Sequence, residues 1–396
     1  MLELLKVDKA NFMDTGKTFE DLGLSKPLLT AIAAQKYGKP YPIQQEAIPA
    51  ILSGKDIQGI AKTGSGKTAS FVLPILEGFL NKKASRRRNL KVLILVPTRE
   101  LAMQISEVIS AFTENLEDEV KNLAVYGGIK VNQQMVQLKD TEILVATPGR
   151  LLDLISSQSV SLGKVETLVL DEADKMLDLG FKEEFGQILK LLPKKRQNLL
   201  FSATLDTKII DLKKEILNDP VTIEITEEED TLELIKQVAY MVSMDRKGPL
   251  LRYIIKNQGI TKVLVFTSSI RTADNVCNKL NRNGINASAI HSKKTQSARN
   301  KAMLDFKLGK ITVLVATDIA ARGIDIHFLP CVINYELPRS PKDYVHRIGR
   351  TGRAGAMGEA ISLVTDEEEQ HFYIIQKKMG KRVEKVATED FDLTGV

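Results

Sequence analysis

Ala61-Lys62-Thr63-Gly64-Ser65-Gly66-Lys67-Thr68 is the stretch whose reading decides the fold. It lies between a short β-rich run, Asp56-Ile57-Gln58-Gly59-Ile60, and an apolar helical run over 69–80. Strand, glycine loop, helix is the context in which a phosphate-binding loop works. Gly64 and Gly66 let the backbone turn its N–H groups inward, and the new helix adds its positive N-terminal end. Thr63 and Ser65 complete the cradle, Lys67 reaches the outer phosphates, and the hydroxyl of Thr68 takes a place on Mg²⁺. Ala61 stands where the general pattern has Gly. A solvated Gly/Ser loop has no reason to keep loop, Lys and Thr in this register. Alone, the stretch specifies a nucleotide-binding protein and fits kinases, GTPases and transporters alike.

Outward from the loop, short β-rich runs alternate with helical ones as far as residue 205. Lys91-Val92-Leu93-Ile94-Leu95-Val96 is continuously apolar after its lysine, the mark of a strand buried on both faces, and Pro97 closes it. Leu101, Ile105, Val108 and Phe112 then recur at helical spacing. Further runs end at Gly127-Gly128, Thr147, Asp171 and Ser202. This alternation predicts a parallel α/β sheet with its ligands at the carboxyl ends of the strands, where the polar clusters fall. Asn218-Asp219-Pro220 and the acidic Glu227-Glu228-Glu229-Asp230 read as punctuation, which puts a linker over 219–231.

Beyond it the sequence repeats itself. Lys91-Val92-Leu93 is echoed by Lys262-Val263-Leu264, and Leu144-Val145-Ala146-Thr147 by Leu314-Val315-Ala316-Thr317. Lys91 and Thr147 are 56 positions apart; Lys262 and Thr317 are 55 apart. Two copies of one α/β domain follow, and only the first carries the loop. The boundaries read as 1–218, the linker, 232–380 and a short tail over 381–396.

Composition adds limits. At 396 residues, 43% hydrophobic and 27% charged, the chain has the makeup of an ordinary globular protein of two domains. A net charge of +6 leans toward a polyanionic partner without locating it. The basic run 82–88 reads as a solvated loop, with a nucleic-acid contact as the alternative. Cys277 and Cys331 make neither a disulfide framework nor a metal-ligand spacing, and suit buried positions in a reducing compartment. The first residues lack the order of a signal peptide, and no apolar run spans a bilayer, so a cytoplasmic monomer with no membrane partner is expected.

Two clusters carry the chemistry. Leu168-Val169-Leu170-Asp171-Glu172 ends an apolar strand with two carboxylates, the first suited to Mg²⁺ and the second to orienting and deprotonating a water. Arg347, Arg350 and Arg353 recur at spacing three within Tyr344-Val345-His346-Arg347-Ile348-Gly349-Arg350-Thr351-Gly352-Arg353. A helical start would align their guanidinium groups along one face, ready for the charge that develops on a transferred phosphoryl group.

With these residues together, the chain resembles a DEAD-box RNA helicase of superfamily 2. The tetrad Asp171-Glu172-Ala173-Asp174 carries the name. It stands in family order with the loop, Pro97-Thr98-Arg99-Glu100-Leu101-Ala102, Thr147-Pro148-Gly149-Arg150, Ser202-Ala203-Thr204, Ala316-Thr317-Asp318-Ile319-Ala320-Ala321-Arg322-Gly323-Ile324-Asp325 and the arginine stretch. The resemblance runs from Phe19 to Val364. It implies two tandem RecA-like domains, ATP with Mg²⁺, and RNA as partner. Within it, Pro42-Ile43-Gln44 looks like a Q motif, in a region over 18–46, where Gln44 reads the adenine edge and Phe19 stacks on the base. Lys67, Thr68 and Asp171 would hold phosphates and metal, and Glu172 the water. Asp174, Ser202, Thr204 and His346 would couple the sites. Gly323 and Asp325 would approach the ribose, and Arg350 and Arg353 would act as arginine fingers. RNA contacts would come from Arg99, Gly128, Thr147, Gly149, Arg150, Gln296, Arg299, Thr317, Asp318 and Arg322.

Tyr41 departs from the family's usual Thr, and His291-Ser292-Lys293-Lys294 from its His-Gly-acid run, which adds positive charge. Phe181 and Asn334-Tyr335-Glu336-Leu337-Pro338 look like the bacterial RhlE-type branch. The implied activity is ATP-dependent RNA unwinding by interdomain closure. An ATP-dependent RNA clamp and a DNA-acting helicase or translocase share the same core and stay open at this point.

Overall fold

The computed structural model describes residues 16–61, 64–80, 88–114, 116, 120–225, 235–321, 329–352 and 357–395, which fall into two compact units, 16–225 and 235–395. In the first, a 3₁₀ turn at Phe19–Leu22 leads into α1 (Lys26–Ala34), α2 (Pro42–Leu52), β1 (Ile57–Ile60) and α3 (Lys67–Leu80). Then come β2 (Val92–Leu95), α4 (Arg99–Thr113), β3 (Asn122–Val125), α5 (Val131–Gln137), β4 (Ile143–Ala146) and α6 (Pro148–Ser156). The unit closes with β5 (Thr167–Leu170), α7 (Ala173–Asp178), α8 (Lys182–Leu191), β6 (Gln197–Ser202), α9 (Thr207–Ile216) and β7 (Val221–Glu224).

These strands form one parallel sheet in the order β3-β4-β2-β5-β6-β1-β7. Successive side chains of a strand feed opposite cores. Val92 and Ile94 pack with α1 to α4 on one face, whereas Leu93 and Leu95 pack with α6, α8 and α9 on the other. Both faces are covered, so the strands read as continuous apolar runs rather than alternating ones.

The second unit comprises β8 (Ile235–Met241), α10 (Lys247–Asn257), β9 (Val263–Thr267), α11 (Ile270–Arg282), β10 (Ala287–Ile290), α12 (Gln296–Lys307) and β11 (Val313–Thr317). It continues with α13 (Asp318–Ala321), β12 (Cys331–Asn334), α14 (Pro341–Ile348), β13 (Gly358–Val364), α15 (Glu369–Met379) and β14 (Glu384–Ala387). Its sheet order is β10-β11-β9-β12-β13-β8-β14, all parallel. Each position matches the first sheet with the strand number raised by seven. The short echoes in sequence therefore mark a true structural repeat, and the expected pair of parallel α/β domains is borne out.

Two boundaries shift. Residues 221–224, inside the range read as linker, pair with β1 from Ile57↔Val221 to Ile60↔Glu224. Residues 384–387, inside the range read as tail, pair with β8, and Phe391 beyond them packs on Tyr240 and Tyr253. Both are polar edge strands. In β7 only Ile223 is buried, so the apolar signal that reveals a central strand is missing. Cys277 and Cys331 are free and buried, as their spacing suggested. No helix among the described residues is long and apolar enough to cross a membrane.

Candidate active site

The phosphate loop opens from the carboxyl end of β1, and α3 begins at Lys67 itself. Gly64 and Gly66 sit at φ 90° and 89°, the left-handed region that glycine enters without strain. At Gly66 a side chain is excluded twice over, because a Cβ there would lie 2.6 Å from Gln44 Nε2 and 3.0 Å from the Tyr41 ring. Lys67 is buried, its Nζ donating to Ala61 O at 2.6 Å. Burial pulls the Lys67 ammonium below its ordinary pKa, while the charges of Asp171 and Glu172 push it back up.

Two strands away, β5 ends at Asp171. Its carboxylate is buried, and Oδ1 accepts from the backbone N–H of Glu172 at 2.9 Å. Burial pushes the Asp171 carboxyl up to about 6, against the opposing pull of Lys67. Glu172 caps α7 with a left-handed backbone, φ 53° and ψ 46°, and its Oε1 accepts from Lys175 Nζ at 2.5 Å. From β6, Ser202 Oγ donates to Thr204 O at 2.8 Å and accepts from Thr204 N at 3.2 Å. Thr204 Oγ1 then donates to Asp174 Oδ2 at 3.3 Å. The structure thus brings Asp174, Ser202 and Thr204 into one chain of hydrogen bonds; His346 lies in the second domain, on α14.

This half of the sheet suits a metal-bound triphosphate. The Ser65 hydroxyl is buried with no hydrogen-bond partner, as is Asp174 Oδ1. A cradle that a Cβ would fill, an unmatched hydroxyl, a buried ammonium and a desolvated carboxylate that a cation would settle are the donor set such a ligand needs. No cluster of three or more metal-ligating side chains stands among the described residues.

Gln44 and Phe19 both lie inward in the first domain. Gln44 is buried beneath the loop, with Oε1 accepting from Tyr41 N at 2.9 Å and Nε2 donating to Gly66 O at 3.0 Å. It ties α2 to the phosphate loop. Phe19 is a core side chain, 6% exposed, with its ring edge-on to Tyr37.

The ends of β3, β4 and β2 form the other half of the same rim. Arg99 opens α4 after β2, and its guanidinium covers Gly128 after β3 so closely that a Cβ on Gly128 would lie 2.0 Å from Nη1. Thr147 and Gly149 begin α6 after β4. Arg150 turns inward, donating to Gln134 Oε1 at 2.6 Å, Ile129 O at 2.9 Å and Asp153 Oδ2 at 3.3 Å, so its guanidinium holds α5 and α6 together.

In the second domain, Gln296 and Arg299 lie on the first turn of α12, and Thr317 and Asp318 at the end of β11. Asp318 takes a bidentate pair from Arg347, at 2.6 Å to Nε and 2.8 Å to Nη2. Arg347 also donates to Asn334 Oδ1 and Glu336 O and lies over the Phe266 ring, 4.9 Å from its centroid. The expectation of three arginines along one helical face is therefore corrected. The helix α14 ends at Ile348 with Gly349 as its cap, Arg347 is buried in the domain, and Arg350 lies beyond the helix. Thr63, Arg322, Gly323, Asp325 and Arg353 lie outside the described residues. Of the added lysines, Lys294 pairs with Asp274 at 3.0 Å, which takes up part of the extra charge, while Lys293 is exposed.

Sequence models of two domains match this chain, the DEAD/DEAH box helicase over residues 41–212 and the helicase conserved C-terminal domain over 246–355. The ATP-dependent RNA helicase CshA of Listeria monocytogenes is 40% identical over 375 residues, 94% of this chain and 71% of the relative. The chain belongs to the DEAD/DEAH box helicases. Another relative, the ATP-dependent rRNA helicase rrp3 of Botryotinia fuckeliana, is 40% identical over 93% of this chain and 75% of its own. Among solved structures, S. cerevisiae Dbp5 bound to RNA and ADP BeF3 superposes with a TM-score of 0.82 at 32% identity, covering 94% of this chain and 96% of that one. A DEAD box protein from Methanococcus jannaschii gives 0.53 at 37% identity, with 93% and 99% covered.

Neither the contact of Lys175 with Glu172 nor the inward turn of Arg347 was singled out by the sequence pattern. Lys175 follows Glu172 by three residues on a helix, a spacing that brings side chains together and was open to inspection. Arg347 was in view inside the arginine stretch, but spacing alone gave it the same outward role as its neighbours.

Proposed function

We infer that this chain is an ATP-dependent RNA helicase, coupling RNA-stimulated ATP hydrolysis to local duplex opening. One observation carries the reading. A single sheet rim holds a phosphate cradle with paired acids at β1, β5 and β6, and small residues with an arginine and a helix start at β2, β3 and β4. Small residues and helix starts suit backbone phosphates, which position a strand without reading its sequence.

In this reading Lys67 and the N–H groups at the start of α3 hold the phosphates, and Thr68 and Asp171 hold Mg²⁺. Bound by these residues, the metal would supply positive charge against the phosphates. Glu172 orients the attacking water and accepts its proton as the new P–O bond forms and the bond to the bridging oxygen of ADP breaks. The hydrogen-bond chain Ser202–Thr204–Asp174 links the acid cluster to the strand ends beside it. Arginine fingers come from Arg350 and Arg353, and RNA contacts across the two domains from Arg99, Gly128, Thr147, Gly149, Gln296, Arg299, Thr317 and Arg322. Because those groups are divided between two domains, turnover is tied to their approach around ATP and one RNA strand, and product release to their separation. A cytoplasmic monomer belongs to the same reading.

A strand-release assay on a short RNA duplex tests it. ATP is expected to release the labelled strand, and a non-hydrolysable analogue to support binding with little repeated release. Binding under both conditions with no release under either would replace the helicase by an ATP-dependent RNA clamp.

A further inference from the structure

Lys175 lies on the first turn of α7, three residues after Glu172, and its ammonium meets Glu172 Oε1 at 2.5 Å with the two side chains only 9% and 4% exposed. Arg150–Asp153 and Lys247–Glu368, by contrast, leave their acids 59% and 26% exposed. A buried pair of this kind is poor evidence for stability, because desolvation offsets most of the attraction. Its geometry is more informative. Glu172 already holds a left-handed backbone, a state that a side chain with a Cβ keeps only when its surroundings enforce it. The start of α7 thus fixes the main chain of Glu172, and Lys175, one turn on, fixes the end of its side chain.

We propose that Lys175 is a positioning residue for hydrolysis, its ammonium holding the Glu172 carboxylate in the one orientation that meets the attacking water. The inference rests on the role given to Glu172 above. Lys67 places its ammonium on Ala61 O and acts on Glu172 and Asp171 through its charge, whereas Lys175 is in direct hydrogen-bond contact with Glu172 Oε1. Removing the ammonium leaves the carboxylate free to rotate about its last torsions, and small misplacements of a catalytic group reduce rate steeply while leaving substrate binding intact.

The test compares wild type, K175M, K175R and E172Q in the full chain. K175M is expected to lower the kcat for RNA-stimulated ATP turnover about tenfold with KM for ATP within about twofold, and K175R to recover most of the loss. Unchanged affinity for a fluorescent ADP analogue shows that K175M is folded. In the nucleotide-free protein, lysine side-chain ¹⁵N NMR should show the Lys175 ammonium in wild type, assigned by its loss in K175M, and shifted in E172Q. If E172Q abolishes turnover while K175M matches wild type, the inference about Lys175 fails and the reading of Glu172 stands. An undiminished E172Q refutes the role of Glu172 itself. A kcat loss accompanied by a parallel rise in KM, no recovery in K175R, or a Lys175 signal indifferent to E172Q would each overturn the positioning role.

Discussion

The two sheets share one strand order, yet only one carries a nucleotide cradle, and the difference lies at the helix that follows the first strand of each sheet. In the first domain β1 feeds Gly64 and Gly66 and then Lys67 at the start of α3. At the matching place in the second, β8 leads through Val242-Ser243-Met244-Asp245-Arg246 to Lys247 at the start of α10. Both domains thus put a buried lysine at the same helix end. Lys247 spends its ammonium on Tyr335 O at 3.1 Å and Glu368 Oε2 at 2.7 Å. Lys67 instead faces Asp171, a carboxylate that burial has made reluctant to ionise. The architecture supplies a helix start and a lysine. What makes it a phosphate site is glycine in the turn and an acid that needs a cation.

Exchanging the two lysines is the sharpest way to break this comparison. Lys67→Met is expected to abolish turnover, by about 10²-fold or more, and to weaken nucleotide binding, since the outer phosphates lose their buried cation. Lys247→Met should leave nucleotide affinity unchanged and lower the stability of the second domain by about 1–3 kcal/mol, because Tyr335 O and Glu368 lose their donor. Analogue titrations and denaturant unfolding of the two variants measure this; equal losses of affinity would mean that the matched positions are functionally alike.

Arg347→Ala comes next. It removes a bidentate pair with Asp318 and two further hydrogen bonds from a buried guanidinium, so the second domain should lose about 3 kcal/mol, the low end for breaking a buried pair because Asp318 is partly exposed. The first domain, which lacks this clamp, should unfold as in wild type. A parallel fall in both transitions would contradict the separate accounting of the two domains.

Asp171 gives a smaller effect with a definite sign. Its carboxyl is raised from 3.8 to about 6, so between those values the folded chain binds more protons than the unfolded one, and stability falls as pH rises through that window. In metal-free protein, Asp171→Asn should therefore stabilise the first domain by about 2–3 kcal/mol at pH 7.5, an advantage that fades as pH falls from 6 toward 4. Thermal unfolding across that range checks it; a gain independent of pH would mean that burial of the charge is not the cause.

The sequence showed most of what the sheets and their rims require. Continuous apolar runs exposed the central strands, and the polar residue types closing them located the loop, Asp171, Thr147 and Ser202. It hid β7 and β14, one edge of each sheet, because they bury too little to print an apolar pattern. It also hid the destination of charged side chains. Arg150 and Arg347 look outward-facing in sequence but are bound internally, and Gln44 meets the loop backbone through contacts that depend on how α2 is laid against α3. Residue type can be read from the chain; which of two charged partners claims it depends on packing across elements far apart in sequence.

ATP hydrolysis by the full chain, measured with single-stranded RNA and with DNA of the same sequence over a range of salt, tests the central claim most directly. The account predicts strong stimulation by RNA, weaker or none by DNA, and a steep decline of the RNA effect with salt as backbone contacts are screened. Equal or stronger stimulation by DNA, or turnover indifferent to either polymer, would contradict it.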